Sequence, residues 1–346
     1  MMKTWIKHCT PGIICLALFL AACSPQPALS TPTSAAAPQP VHLKVGTLPY
    51  ISNAILKIGL DEGFFAEQGL DVELVSLKSA NDFFPLLLKG DLDAATPSLT
   101  PGFFNAVAKG SSLKIVLPLT DLKIQPCTAV AVLARKADVD SKIYADPSQW
   151  KGARVTLASG GAANSSGYIM DLALRKGGLK LGDVQLETID LSAQADALRK
   201  SQVDLVYAVE PWVTRMTAQG DIAVLYPAEP LEPALLSSVI VYGARLLANP
   251  DIGSRFARAY LKSVRQYLQG KTPSNVALVA AYTGLDAELV KQLCWSNSPA
   301  DGHINVDSIM AYQAWLKETG NLDRILDPKE FLDTSFADAA NRALGQ

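Results

Sequence analysis

Two stretches of this chain follow one scheme, and that repetition limits the fold more than any other feature. HLKVGTLPYISNAILKIGLDEGFFAEQGLDVELVSL runs as a strand, a polar loop, a helix, a glycine-leucine exit and a second strand; ARVTLASGGAANSSGYIMDLALRKGGLKLGDVQLETI does the same. The continuations also repeat: FFPLLLKGDLDAATPSLTP and ALRKSQVDLVYAVEPW each lead a helix through a turn into an aspartate-bearing strand and a proline-containing loop. Short β-branched runs alternating with helical periodicity predict an α/β architecture with mainly parallel strands, built as two similar units. The strands are expected at 42–47, 72–77, 92–96, 113–117, 129–133, 154–158, 184–189, 203–208 and 222–225. From Pro250 the pattern turns helical, in DIGSRFARAYLKSVRQYLQ, DAELVKQLCW and VDSIMAYQAWLKETG, and predicts a packed helical layer.

The N-terminus carries an address. Lys3 and Lys7 precede a short apolar run at 13–19, followed by Leu20-Ala21-Ala22-Cys23. Residues 1–22 read as a signal peptide too short to span a membrane. The cysteine at 23 resembles the lipobox of bacterial lipoproteins, against the alternative of a plain secretory signal with an incidental cysteine. In the lipobox reading Cys23 becomes the mature N-terminus, and its several palmitate-type chains anchor stably where one would not. Residues 24–40, SPQPALSTPTSAAAPQP, hold five prolines and no charge, so 23–40 reads as a lipidated tether unable to bury a core. The expected location is exported and lipid-anchored, on the periplasmic or extracellular face of a membrane.

A formal net charge of -2 leaves no basic excess to track nucleic-acid phosphates. Beyond the signal and Cys23, only Cys127 and Cys294 remain, either bridged in an oxidising compartment or separately buried. With no CxxC and only His8, His42 and His303, neither a metal site nor a cofactor is expected.

The phrases LKVGTLPYISNAILKIGLDEGFFAEQGLDVELV, GDLDAATPSLTPGFFNAVAKGSSLKIV, WKGARVTLASG, LRKGGLKLGDVQLETI, QVDLVYAVEPW and HINVDSIMAYQAWLKETGNL stand in this order from Leu43 to the C-terminus. They resemble the substrate-binding proteins of ABC importers, in the subgroup serving sulfonates, nitrate and bicarbonate, and thiamine-pyrimidine precursors. The resemblance implies a two-lobed type II periplasmic-binding fold, each lobe a mainly parallel sheet flanked by helices, with a helical C-terminal extension. Lobe one would comprise 41–128 plus 227–346 and lobe two 129–226, with crossings near 127–129 and 226–238. It further implies a monomer that closes on a small molecule and delivers it to an ABC permease and its ATPase.

Ligands of open α/β sheets bind beyond the carboxyl ends of the strands, which singles out four loops. At 158–168, ASGGAANSSGY is not a Walker loop: five residues separate Gly161 from Gly167, and Tyr168 stands where lysine is required. It has no nucleophile elbow either. Asn164, Ser165 and Ser166 instead offer donors beside the free N–H groups of a helix start, or merely cap it. Tyr50, Ser52 and Asn53 occupy the matching loop of the first unit. Thr96 and Ser98 follow the aspartate-bearing strand, where Thr100 either joins them or caps the helix at 101–108. Glu210 and Trp212 end the matching strand of the second unit, offering a carboxylate acceptor and a stacking ring, or a helix-terminal acid and a core anchor. These loop tips hold no arginine or lysine, the usual clamp for a small, multiply charged anion. The set therefore favours an organosulfonate or an aminopyrimidine-like heteroaromatic over phosphate. Two alternatives remain: an exported enzyme on the same scaffold, related to thiamine-pyrimidine synthesis, and a sensor docking on a membrane kinase.

Overall fold

The computed structural model describes residues 39–79, 82–122, 126–158, 161–228, 231 and 235–345. The signal peptide, Cys23 and the tether up to residue 38 lie outside the described residues.

Among the described residues, ten strands form two sheets. They are β1 (Val41–Thr47), β2 (Leu70–Ser76), β3 (Ala94–Ala95), β4 (Lys114–Leu122), β5 (Val130–Arg135), β6 (Arg154–Thr156), β7 (Gln185–Glu187), β8 (Leu205–Val209), β9 (Ile222–Pro227) and β10 (Leu235–Tyr242). The orders are β2-β1-β3-β10-β4 and β7-β6-β8-β5-β9. The repeated units occupy matching places: β1, β2 and β3 pair in parallel as β6, β7 and β8 do. Each sheet then adds two antiparallel pairings, β3-β10-β4 in the first and β8-β5-β9 in the second. The sheets are thus mixed, where sequence alternation alone predicts mainly parallel strands. Parallel neighbours need a crossover element; β5 and β10 instead enter by passing directly from the other sheet, after β4 and β9, and so run against their neighbours.

Helices of eight or more residues are α1 (Ala54–Asp61), α2 (Pro101–Ala108), α3 (Ser165–Lys176), α4 (Pro250–Tyr267), α5 (Pro273–Thr283), α6 (Val306–Glu318) and α7 (Ser335–Ala343). Proline at the first turn starts α2, α4 and α5, where its missing N–H is no loss. The Thr272 and Asn305 side chains accept the N–H groups of Asn275 and Ser308, capping α5 and α6. Gly284 stops α5 in a left-handed conformation at φ 67°.

β5 shows why its text is continuously apolar: Ala131 and Leu133 pack on one face, against Leu198, Val213 and Met216, while Val132 and Ala134 pack on the other, against Trp150, Met170 and Leu174. Behind the first sheet, α4 lays Phe256, Tyr260, Leu261 and Val264 against Val116, Leu119 and Ile240, each side chain contributing about 1.5–3 kcal/mol by burial. A further cluster joins residues of both repeated units: Phe104 and Tyr312 with Tyr168, Ile169 and Tyr207.

Candidate functional site

Residues just beyond the carboxyl ends of β1, β3, β6 and β8 line one cleft enclosing about 650 Å³ of atom-free space, part of it open to solvent. The first sheet's side supplies Leu48, Tyr50, Ile51, Ser52 and Asn53 after β1, with Thr96 and Ser98 after β3. The second supplies Ala158 after β6, Ser165 and Ser166 from the start of α3, and Tyr207, Val209 and Glu210 from the end of β8. Thr120 and Leu122 of β4, Ala129, Val130 of β5 and Ser237 and Ser238 of β10 form the part nearest the crossings, and Ser296 comes from the C-terminal region. Hydroxyls dominate the polar lining, and among the described residues no lysine, arginine or histidine belongs to it. A second recess of about 990 Å³ shares Ala158 with this cleft and runs past the ends of β6 and β7 to Lys78 and Ser79.

The sequence-derived candidates divide. Tyr50, Ser52, Asn53, Thr96, Ser98, Ser165, Ser166 and Glu210 line the cleft; Asn164 and Trp212 do not. Asn53 is held from within the protein: the Thr96 hydroxyl is hydrogen-bonded to its Oδ1 and lies 3.1 Å from the Gly46 carbonyl. Asn164 takes the N-cap position of α3 without a side-chain cap bond, and its buried amide nitrogen has no partner. Thr100 similarly precedes α2 with no cap bond and a buried, unpartnered hydroxyl off the cleft. Trp212 opens a short helix, Trp212–Thr217, packs on the cluster around Ala131 and Val206, and carries the Arg215 guanidinium 4.9 Å from its ring centre.

Glu210 is the one acid among the described residues of the lining and is only 3% exposed. It accepts hydrogen bonds from the Thr214 hydroxyl at 2.7 Å, the Thr214 N–H at 3.0 Å and the Cys294 N–H at 2.8 Å. Burial pushes its carboxyl above the ordinary glutamate range, against those bonds and the charge of Lys271. The group thus ties the end of β8 to the C-terminal region. Beside it Cys294 is bonded to Cys127, with Cα atoms 5.5 Å apart, so the two cysteines are bridged.

The start of α3 is less available than its sequence suggests. The Ser165 N–H already donates to the Leu99 carbonyl at 3.1 Å. The Tyr312 hydroxyl of α6 sits 2.6 Å from the Ala163 carbonyl and 3.1 Å from that of Leu99. Further along, Trp315 donates its ring N–H to buried Asp171 at 2.8 Å, and Arg175 spans Asp171 and Glu318. Tyr168 stacks obliquely on Tyr312 and Trp315, with ring centres 5.5 and 5.3 Å away. Helix α6 therefore straps α3 outside the cleft.

Thr120, Tyr207, Ser237, Ser238 and Ser296 are lining residues that sequence reasoning missed. Tyr207 had a usable signal: it lies two before Val209 on β8, and alternate strand residues share a face.

A model of the NMT1-like family matches residues 36–226. No curated protein matches the sequence. Among solved structures, the periplasmic nitrate-binding protein NrtA of Synechocystis PCC 6803 is 14% identical, with a TM-score of 0.73 over 88% of this chain and 89% of that one. The periplasmic aliphatic sulphonate binding protein SsuA of Escherichia coli is 17% identical, with a TM-score of 0.69 over 86% of this chain and 99% of that one. The desulfurization enzyme DSZB is 15% identical, with a TM-score of 0.62 over 88% of this chain and 99% of that one. The fold is that of the periplasmic binding proteins, with the helical C-terminal region present.

Proposed function

The chain belongs to the NMT1-like family, and from that premise we propose that it is the solute-binding receptor of an ABC import system. It captures a small organic solute, organosulfonate-like or heteroaromatic with amino or ring N–H groups, between a lobe of 41–128 plus 227–346 and a lobe of 129–226. It then presents the solute to a permease and its ATPase. The observation that carries this reading is the cleft itself: hydroxyls and apolar walls from both sheets converge on it with, among the described residues, one buried acid and no cation. Neutral donors and rings grip an organic molecule by hydrogen bonding and stacking, whereas an inorganic anion finds no counter-charge and meets Glu210. Cys23 is the proposed lipid anchor, with 24–40 as the tether, holding a monomer at the periplasmic or extracellular face of a membrane.

The likeness to a desulfurization enzyme supports a second reading, an exported enzyme on this scaffold. Among the described residues the lining offers no histidine or cysteine to act as base or nucleophile, which favours binding over turnover. Titration calorimetry of the protein lacking 1–38, against taurine, longer alkanesulfonates, cytosine, 4-aminopyrimidine, nitrate and bicarbonate, separates these possibilities. Stoichiometric binding of an organic member, recovered unchanged, is expected. Binding of the inorganic anions alone would overturn the solute class, and conversion of a member would overturn the receptor.

A further inference from the structure

We infer that Thr120, at the floor of the cleft, is a specificity-determining residue that hydrogen-bonds an uncharged donor or acceptor group of the ligand. Thr120 is 6% exposed, and its hydroxyl is buried with no hydrogen-bond partner, while the residue itself lines the cleft. A hydroxyl removed from water without a partner costs free energy, so such a group persists where function requires it. The local backbone is built around it. Ser238 pairs with Thr120 between two register shifts of β10 on β4, and Ser98 bridges to Ser238 from beyond β3. The Ser237 hydroxyl donates to the Thr120 carbonyl at 3.3 Å, which fixes the main chain and leaves the threonine side chain uncommitted. Irregular pairing of this kind re-aims side chains and concentrates beside functional sites.

The chemistry of the floor narrows what it reads. Thr120, Ser98 and Ser238 are neutral, and no cation among the described residues lines the cleft, so the matching ligand atom is a hydroxyl, amide, amino or ring-nitrogen group. An apolar substituent placed there would leave the threonine unpaired, and a site built to make a hydrogen bond discriminates against analogues that lack it.

The inference separates function from architecture, because a structural hydroxyl stabilises the protein and a ligand-reading one does not. Thr120→Val keeps the shape and removes only the hydroxyl. In ligand-free protein, melting is expected about 2 °C higher than wild type. Thr100→Val is the control, since the Thr100 hydroxyl is equally buried and unpartnered but lies off the cleft. Both variants are expected to gain stability, and a lower melting temperature for Thr120→Val would overturn the inference. The binding arm rests on the proposed receptor role and uses cytosine as probe: Thr120→Val is expected to bind it about tenfold more weakly, with Thr100→Val unchanged. Equal affinity of Thr120→Val and wild type overturns the inference. Failure of wild type itself to bind cytosine counts against the heteroaromatic class, and the same affinity comparison with taurine then decides on Thr120: equal affinity of Thr120→Val and wild type overturns the inference.

Discussion

Replacing both Cys127 and Cys294 by serine is expected to lower stability by about 3–5 kcal/mol. The bond closes a loop of 167 residues; the chain-entropy relation −2.1 − 1.5R ln n then gives about 17 cal/mol/K, or about 5 kcal/mol at 25 °C, as the constraint removed from the unfolded chain. The native state loses little in exchange, because Cys294 keeps its N–H bond to Glu210 whichever atom ends its side chain. With roughly 300 folded residues at ~2.1 cal/mol/K each, 5 kcal/mol corresponds to a melting shift of about 8 °C. Urea unfolding followed by circular dichroism, with and without dithiothreitol, reads the effect. The variant's midpoint should fall, and its m-value should rise, since an uncrosslinked unfolded chain exposes more surface. Wild type in reductant should approach the variant, which should itself ignore the reductant. A loss below about 1 kcal/mol with unchanged m would show that the unfolded chain already holds these ends together, and would refute the entropic argument.

Three further outcomes follow from named contacts. Glu210→Gln turns an acceptor toward the Thr214 N–H into a donor, which should cost about 1–3 kcal/mol by urea titration near pH 7. Because burial raises the folded carboxyl's pKa, wild-type Glu210 binds protons more readily when folded. Its contribution should decline as pH rises through the ordinary value of 4.5 toward the folded one, a slope that Glu210→Gln should lack. Trp315→Phe removes one of the hydrogen bonds to buried Asp171 and should cost about 1–2 kcal/mol, while hydrogen exchange at the start of α3 accelerates; unchanged exchange would argue against the strap. The Arg324 guanidinium and the Asp327 N–H push the Glu330 carboxyl down to about 2. Its stabilisation should be present above pH 4.5 and lost as pH falls toward 2, and Arg324→Ala should flatten that dependence in acid-unfolding curves.

Eight of the nine predicted strands were legible as short runs carrying β-branched residues bounded by turn residues; β3, Ala94–Ala95, holds none and was legible only from its place in the repeated helix, turn and aspartate-bearing strand. LLSSVIVY, which forms β10, was passed over, and its first residues were assigned to a crossing, because two serines interrupt the apolar run at the point where its pairing shifts register. The loops beyond β1, β3, β6 and β8 were also legible, since parallel α/β order dictates where ligands approach. Thr120, Ser237 and Ser238 were not: they reach the cleft through the antiparallel pairing of β4 with β10, which arrives from the other sheet, a relation no local pattern encodes. Asn164 and Trp212 show the converse. Their residue types suit a ligand, but tertiary packing turns one into the base of α3 and the other onto the cluster around Ala131.

The strap and the cleft are distinct sources of closure energy in the proposed receptor. Tyr312 and Trp315 grip α3 through carbonyls and Asp171, none of which lines the cleft. Contacts that persist without ligand favour the approached lobes in the empty protein, so the ligand need supply only the remaining difference between states. Glu210 stands apart, since it lines the cleft and also holds the Cys294 N–H across to the C-terminal region. A ligand donor reaching Glu210 would stabilise the charged form that already accepts that N–H, reinforcing the link instead of competing with it. Binding should accordingly lower the Glu210 pKa and release protons near the folded value. Calorimetry in two buffers of different ionisation enthalpy measures that release, and a proton count of zero across pH 5–7 would exclude a donor contact at this carboxylate.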